Sequence, residues 1–97
     1  MPLDDGPHVR QTPLFGRKVK KFKKGEKAAL DEEVRKIISD PEIGQEKKGD
    51  LQGIRVHRYR FNRHELLLAY SASKDEILLI TIGSHENYYR DFKGYIH

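Results

Sequence analysis

The chain has 97 residues, enough for one domain, and no cysteine, which excludes disulfide staples, a thiolate metal site and a cysteine nucleophile. Nineteen Lys and Arg stand against fifteen Asp and Glu, a net charge of +4 whose placement matters more than its size. The longest apolar runs, "ELLLAYSA" and "EILLITIG", are far too short to span a bilayer, and the polar start "MPLDDGPHVRQTP" lacks the apolar stretch of a signal peptide. With no cysteines to staple a small secreted domain, the expected location is the cytoplasm, with no membrane partner.

Residues 1–11 show no periodicity and read as a flexible lead-in, with room for one short strand around Val9. From Pro13 the pattern is helical. Phe15, Val19 and Phe22 fall at i, i+4 and i+7 with lysines on the other face, and proline suits a first turn. Gly25 reads as the C-cap of that helix. A second helix is expected from about Glu26 to Ile38, with Leu30, Val34, Ile37 and Ile38 as its apolar stripe and "SDP" as its stop. Its early acids sit at the positive end of the helix dipole, and Arg35 and Lys36 at the negative end.

The second half reads as strands. "GIRVHRYRF" alternates, as a half-exposed strand does, and "NRH" is a turn. "ELLLAYSA" is apolar enough for a central strand covered on both faces. "SKD" turns again, "EILLITIG" is a third strand, and "ENYYRDFKGYI" closes the chain as a short helix or coil. The expected fold is α+β, a single domain over residues 1–97. An N-terminal helical hairpin packs on a small antiparallel sheet.

Two stretches concentrate the positive charge. Residues 17–24, "RKVKKFKK", carry six cations and no anion, and "IRVHRYRFNR", residues 54–63, carries four arginines, a histidine and two aromatics. Long cationic side chains are ordinary surface residues, but two acid-free runs on so small a domain point to a polyanion partner. The candidate RNA-binding residues are Lys20, Lys21, Lys23, Lys24, Arg55, His57, Arg63 and His64.

Side chains alternate along a strand, so Arg58 and Arg60 point one way, and Tyr59 and Phe61 point the other, into the core. A guanidinium is a forked, permanently charged donor matched to phosphate oxygens. Past the last strand comes "GSHENYYRDF", with His85, two tyrosines and Arg90 where Asn, Asp and Gly would serve a plain turn. His, Arg and Tyr together fit RNA cleavage by its own 2′-hydroxyl. That reaction needs a base for the hydroxyl proton, cations for the phosphorane and an acid for the leaving oxygen. The candidate catalytic residues are His85, Arg58 and Arg60, with one of the two tail tyrosines. No acid cluster resembles a magnesium site and the five histidines lack a paired zinc spacing, so no metal or cofactor is expected. The plain alternative is a turn histidine bonded to backbone and arginines decorating an exposed face.

From about Pro13 onward these pieces resemble, in order, the RelE/ParE superfamily of bacterial toxins from type II toxin–antitoxin modules. The helical hairpin ends in "ISDPEIG". "KKGDLQGIRVHRYRF" is similar to the family's Lys-x-x-Leu-x-Gly lead into a basic strand, and "ELLLAYSASKDEILLITIG" and a tail closing on an aromatic follow. "GSHENYY" looks most like the YafQ branch, where Gly-x-His is followed four residues later by Phe; here the positions are Gly83, His85 and Tyr89. His64, Glu65 and Leu66 match that branch's His-Asp-aromatic start of the central strand.

The resemblance implies a compact α+β toxin held inactive by a cognate acidic antitoxin. RelE- and YafQ-like members cut mRNA in the ribosomal A site, without a metal, and so arrest translation and growth. ParE-like members inhibit DNA gyrase without being enzymes. By position, Arg58 and Arg60 match the paired basic residues of the RelE strand, His85 the YafQ catalytic histidine and Tyr89 the RelE tail tyrosine. The chain departs from RelE at Leu67, where RelE has an arginine. It departs from YafQ at Gly49, where YafQ has a histidine; His57 and His64 are the nearby candidates to replace it. The expected function is a ribosome-dependent mRNA endoribonuclease, with a gyrase inhibitor or an inactive RNA- or antitoxin-binding relic as alternatives.

Overall fold

A computed structural model of the chain describes residues 7–47 and 53–84. Its elements are β1 (His8–Gln11), α1 (Pro13–Lys20), α2 (Lys24–Ser39), β2 (Gln45–Glu46), β3 (Ile54–Phe61), β4 (His64–Ala72) and β5 (Glu76–Gly83). The strands form one sheet in the order β1-β5-β4-β3-β2. The fold is α+β, with the helical hairpin packed on one sheet face, as the sequence pattern leads one to expect.

The sheet is larger than expected, and mixed. β3, β4 and β5 form the antiparallel meander, and the two-residue β2, which the sequence did not announce, pairs antiparallel with β3. β1 is the short strand for which the lead-in left room around Val9, and it pairs parallel with β5 from His8↔Glu76 to Gln11↔Leu79. The ladder continues past β1, with Thr12 N–H donating to Leu79 O at 3.0 Å. A four-residue strand is too short to show a period, so its pairing alone defines it.

Thr12 turns β1 into α1. Its hydroxyl accepts from Phe15 N–H at 3.0 Å and donates to Ile80 O at 2.7 Å, so one buried side chain caps the helix and ties it to the sheet. Across β4 and β5, Tyr70 pairs with Leu79 but Ala69 with Thr81, leaving Ile80 as the extra residue of a bulge.

Gly25 does not end α1. The C-cap is Lys21, and Gly25 lies in the first turn of α2, two residues after the N-cap Lys23. The Glu26 carboxylate accepts from Lys23 N–H at 2.8 Å, and this bond starts the helix ahead of the glycine. The "NRH" turn is also shorter than expected. Asn62 and Arg63, with φ of 51° and 71°, form a two-residue hairpin loop, and His64 begins β4.

Phe15, Leu30, Ile37, Tyr59, Leu68, Tyr70, Ile77, Leu79 and Ile82 make the core between helices and sheet. Val56, Leu67, Ala69 and Ile80 form a second buried cluster on the other face. β4 is therefore covered on both sides, which is why "ELLLAYSA" has no alternation.

Candidate nucleic-acid interface

β3 sets the site by its alternation. Its burial follows the expected parity, with Tyr59 8% exposed in the main core, Phe61 packed against that core, and Arg58 and Arg60 exposed on the opposite side. Arg58 sits opposite Leu67 and Arg60 opposite Glu65 on β4. Arg58 Nη1 reaches a Glu65 oxygen only at 3.9 Å, with both side chains about half exposed, so the pair is loose and worth little. No ion pair of Arg60 or Arg63 forms among the described residues. Arg58 and Arg60 are thus both available to an anion.

The register then brings the end of β5 to the same row. Arg58 pairs with Leu67, and Leu67 with Gly83, so the three residues lie side by side on one sheet face. Two strand spacings separate Arg58 from Gly83, roughly 10 Å. His85 follows two residues further on in the chain, and an extended two-residue step spans at most about 7 Å. His85 and Tyr89 themselves lie outside the described residues, as do the expected closing helix or coil and the "KGDLQ" part of the strand lead-in.

Arg55 and His57 do not join this face. They share the parity of Tyr59 and are turned under the helices. Arg55 Nη1 donates to Gly44 O at 2.8 Å and Glu42 O at 3.2 Å, which fixes the loop after α2. His57 is buried, its Nε2 lies 2.7 Å from Glu33 Oε1 on α2, and its ring stacks on Tyr59 at 6.2 Å. Both side chains, expected from the sequence to contact RNA, are thus engaged within the fold, on the side away from Arg58 and Arg60. The same alternation that separates Arg58 from Tyr59 assigns both of them to the helix side.

Glu33 is the partner that sequence reading missed, because nothing local distinguishes it from Asp31 and Glu32 on the same helix. Burial pushes its carboxyl up, but hydrogen bonds from His57 and Lys36, with the charges behind them, outweigh burial and hold it below its ordinary value of 4.5. A carboxyl lowered on folding adds stability above its unfolded pKa, and that stability is lost as pH falls through the folded value. The melting temperature should therefore drop below about pH 4.5 more steeply in the parent than in Glu33→Gln, as thermal melts across pH 3–6 will show. A parallel decline of the two would exclude this linkage. Tyr59, by contrast, is pushed up to about 12 by burial and by Glu33 and Glu26, so it is a neutral phenol at neutral pH.

Lys20, Lys21, Lys23 and Lys24 are all exposed around the α1–α2 turn. Lys18 instead lies over the sheet edge, where its Nζ donates to Ile82 O at 3.1 Å. His64 pairs with Phe61 and so points to the helix side of the hairpin, away from Arg58 and Arg60. Among the described residues, no group of three or more His, Asp or Glu is placed to hold a metal ion. No described helix is long and apolar enough to cross a membrane.

Comparison with known proteins gives this geometry a context. A family model described as the ParE-like toxin of type II bacterial toxin–antitoxin systems matches residues 9–93. Among solved structures, a mutant of the E. coli toxin RelE in the free state superposes with a TM-score of 0.70 at 14% identity, covering 92% of this chain and 97% of that one. The solution structure of the hypothetical protein HP0894 from Helicobacter pylori gives a TM-score of 0.50 at 20% identity, covering 82% of this chain and 96% of that one. At these identities both likenesses concern the fold. No curated protein matches the chain.

Proposed function

This chain belongs to the ParE-like toxins of type II bacterial toxin–antitoxin systems, and from that premise we propose that it is a ribosome-dependent mRNA endoribonuclease held in check by an acidic antitoxin. The observation that carries the reading is the row Arg58–Leu67–Gly83. It sets two anion-ready arginines within reach of the point where the chain leaves the sheet toward His85 and Tyr89. In the proposed reaction the 2′-oxygen attacks the adjacent phosphorus, the bond to the 5′-oxygen breaks, and a 2′,3′-cyclic phosphate and a 5′-hydroxyl result. Arg58 and Arg60 hold the phosphate and offset the charge of the phosphorane. His85 exchanges the proton with the 2′-hydroxyl or the leaving oxygen, and Tyr89 orients the message by stacking or assists the transfer. Lys20, Lys21, Lys23, Lys24 and Arg63 add long-range attraction to ribosomal RNA.

A second reading is kept because the matching family is described as ParE-like. A non-enzymatic inhibitor of DNA gyrase could use the same basic face but needs no acid–base group. Toeprinting of a translated mRNA separates the two. Cuts inside the ribosomal A site are expected with the parent. Arg58→Ala/Arg60→Ala should reduce them by about 10²-fold or more, since a hydrogen bond to a charged group is worth about 1.5–3 kcal/mol. Intact message together with inhibited gyrase supercoiling would move the second reading to first place.

A further inference from the structure

The RNA-facing arginines leave a second feature of the hairpin unused. On the side opposite Arg58 and Arg60, a cleft of about 450 Å³ opens between the first turn of α2 and the β3–β4 tip. It is lined by Lys23, Gly25, Glu26, Phe61, Asn62 and His64. Phe61 and His64 form the last pair of the hairpin, and Phe61 packs against the main core, so its ring is a fixed wall. Across from it lies Gly25, where a Cβ would make an ordinary contact with Phe61 Cζ at 3.5 Å and a longer side chain would extend into the cleft. The Glu26 carboxylate is held in the lining by its bond from Lys23 N–H at 2.8 Å. Asn62, at the tip, contributes an amide.

We propose that this cleft receives one unstacked nucleobase bearing an amino group, from the RNA strand that Arg58 and Arg60 hold; the identification of the ligand as RNA rests on the nuclease reading. An aromatic wall is the usual platform for a splayed base. Amide and imidazole groups beside it suit the hydrogen-bonding edge of that base. The Glu26 carboxylate accepts from the amino group of a base and opposes an anion, against the pull of the Lys23 ammonium that also lines the cleft. Arg63, at the tip between the two faces, lies where a strand passing from Arg60 to the cleft would carry its phosphate. The site is therefore a sequence-reading pocket, separate from the reacting phosphate.

The test uses isotopically labelled full-length protein titrated with the four nucleoside 5′-monophosphates, with inorganic phosphate as reference. Saturable amide shifts at residues 23–26 and 61–64 are expected with the adenine, guanine and cytosine nucleotides, and at least tenfold weaker binding with the uracil nucleotide and with phosphate. Gly25→Leu should fold as well as the parent, since position 25 is exposed and helical and leucine is the better helix former. It should remove those shifts by filling the cleft. Shifts absent for all four nucleotides, or equal with phosphate alone, overturn the proposal. Toeprinting keeps it distinct from the nuclease reading. If the nucleotides bind in the cleft but the protein never cuts mRNA, the cleft stands and the nuclease fails. If Gly25→Leu cuts with unchanged sequence preference, the nuclease stands and the cleft fails.

Discussion

Replacing His85 by glutamine is expected to lower mRNA cleavage by roughly 10²-fold or more, the scale of a lost acid–base group, while leaving the melting temperature and antitoxin binding unchanged. Glutamine keeps the polarity and approximate reach of the imidazole but cannot take or give a proton near neutrality. Tyr89→Ala should cost less, about 1–3 kcal/mol if the ring only stacks on a base. Melts, a cleavage assay and a growth-arrest assay on the same preparations decide the role. A variant that melts like the parent and still arrests growth fully removes His85 from the mechanism. A histidine that only bonds a turn predicts the reverse: a lower melting temperature, with toxicity tracking the folded fraction.

The largest effect on stability is expected at Tyr70, far from that chemistry. Its side chain is fully buried, and its hydroxyl donates to Pro41 O at 2.7 Å and accepts from Gly44 N–H at 2.9 Å. One phenol thereby satisfies two backbone groups of the loop that carries the chain from α2 to the sheet edge at β2. Tyr70→Phe leaves both groups without that partner. At about 1–3 kcal/mol for the buried Gly44 N–H, and less for the partly buried Pro41 carbonyl that water can reach, the loss should be about 2–4 kcal/mol. For a domain of this size that lowers the melting temperature by about 10 °C or more. Gly44→Ala attacks the same latch from the other side. An added Cβ would meet the Tyr70 hydroxyl at 2.8 Å and the Val56 backbone at 3.1 Å, and neither the buried ring nor the strand has room to give. Both variants should be destabilised. If either melts within about 2 °C of the parent, the loop is not held by this phenol.

Much of the molecule is legible in the residues alone, because it rests on local periodicity. The stripe Leu30–Val34–Ile37 specifies the face of α2, and the alternation in "RYRF" sends Arg58 and Arg60 to one side and Tyr59 to the other. The unbroken apolar run of β4 announces a strand buried on both faces. Other features depend on distant partners, and no local pattern holds them. β1 is a strand only because Glu76–Leu79 lies beside it, and Thr12 caps α1 while binding a carbonyl 68 residues away. Gly25 looks like a helix end until the Glu26 carboxylate starts α2 ahead of it. His57 carries the composition of an RNA contact, but burial against Glu33 makes it a tie between helix and sheet. The candidate site divides in the same way. The residue types and the parity of the arginines come from sequence, whereas the antiparallel register alone sets Gly83 beside Leu67 and Leu67 beside Arg58. It does so because backbone hydrogen bonds between strands align residues with no regard to their distance along the chain.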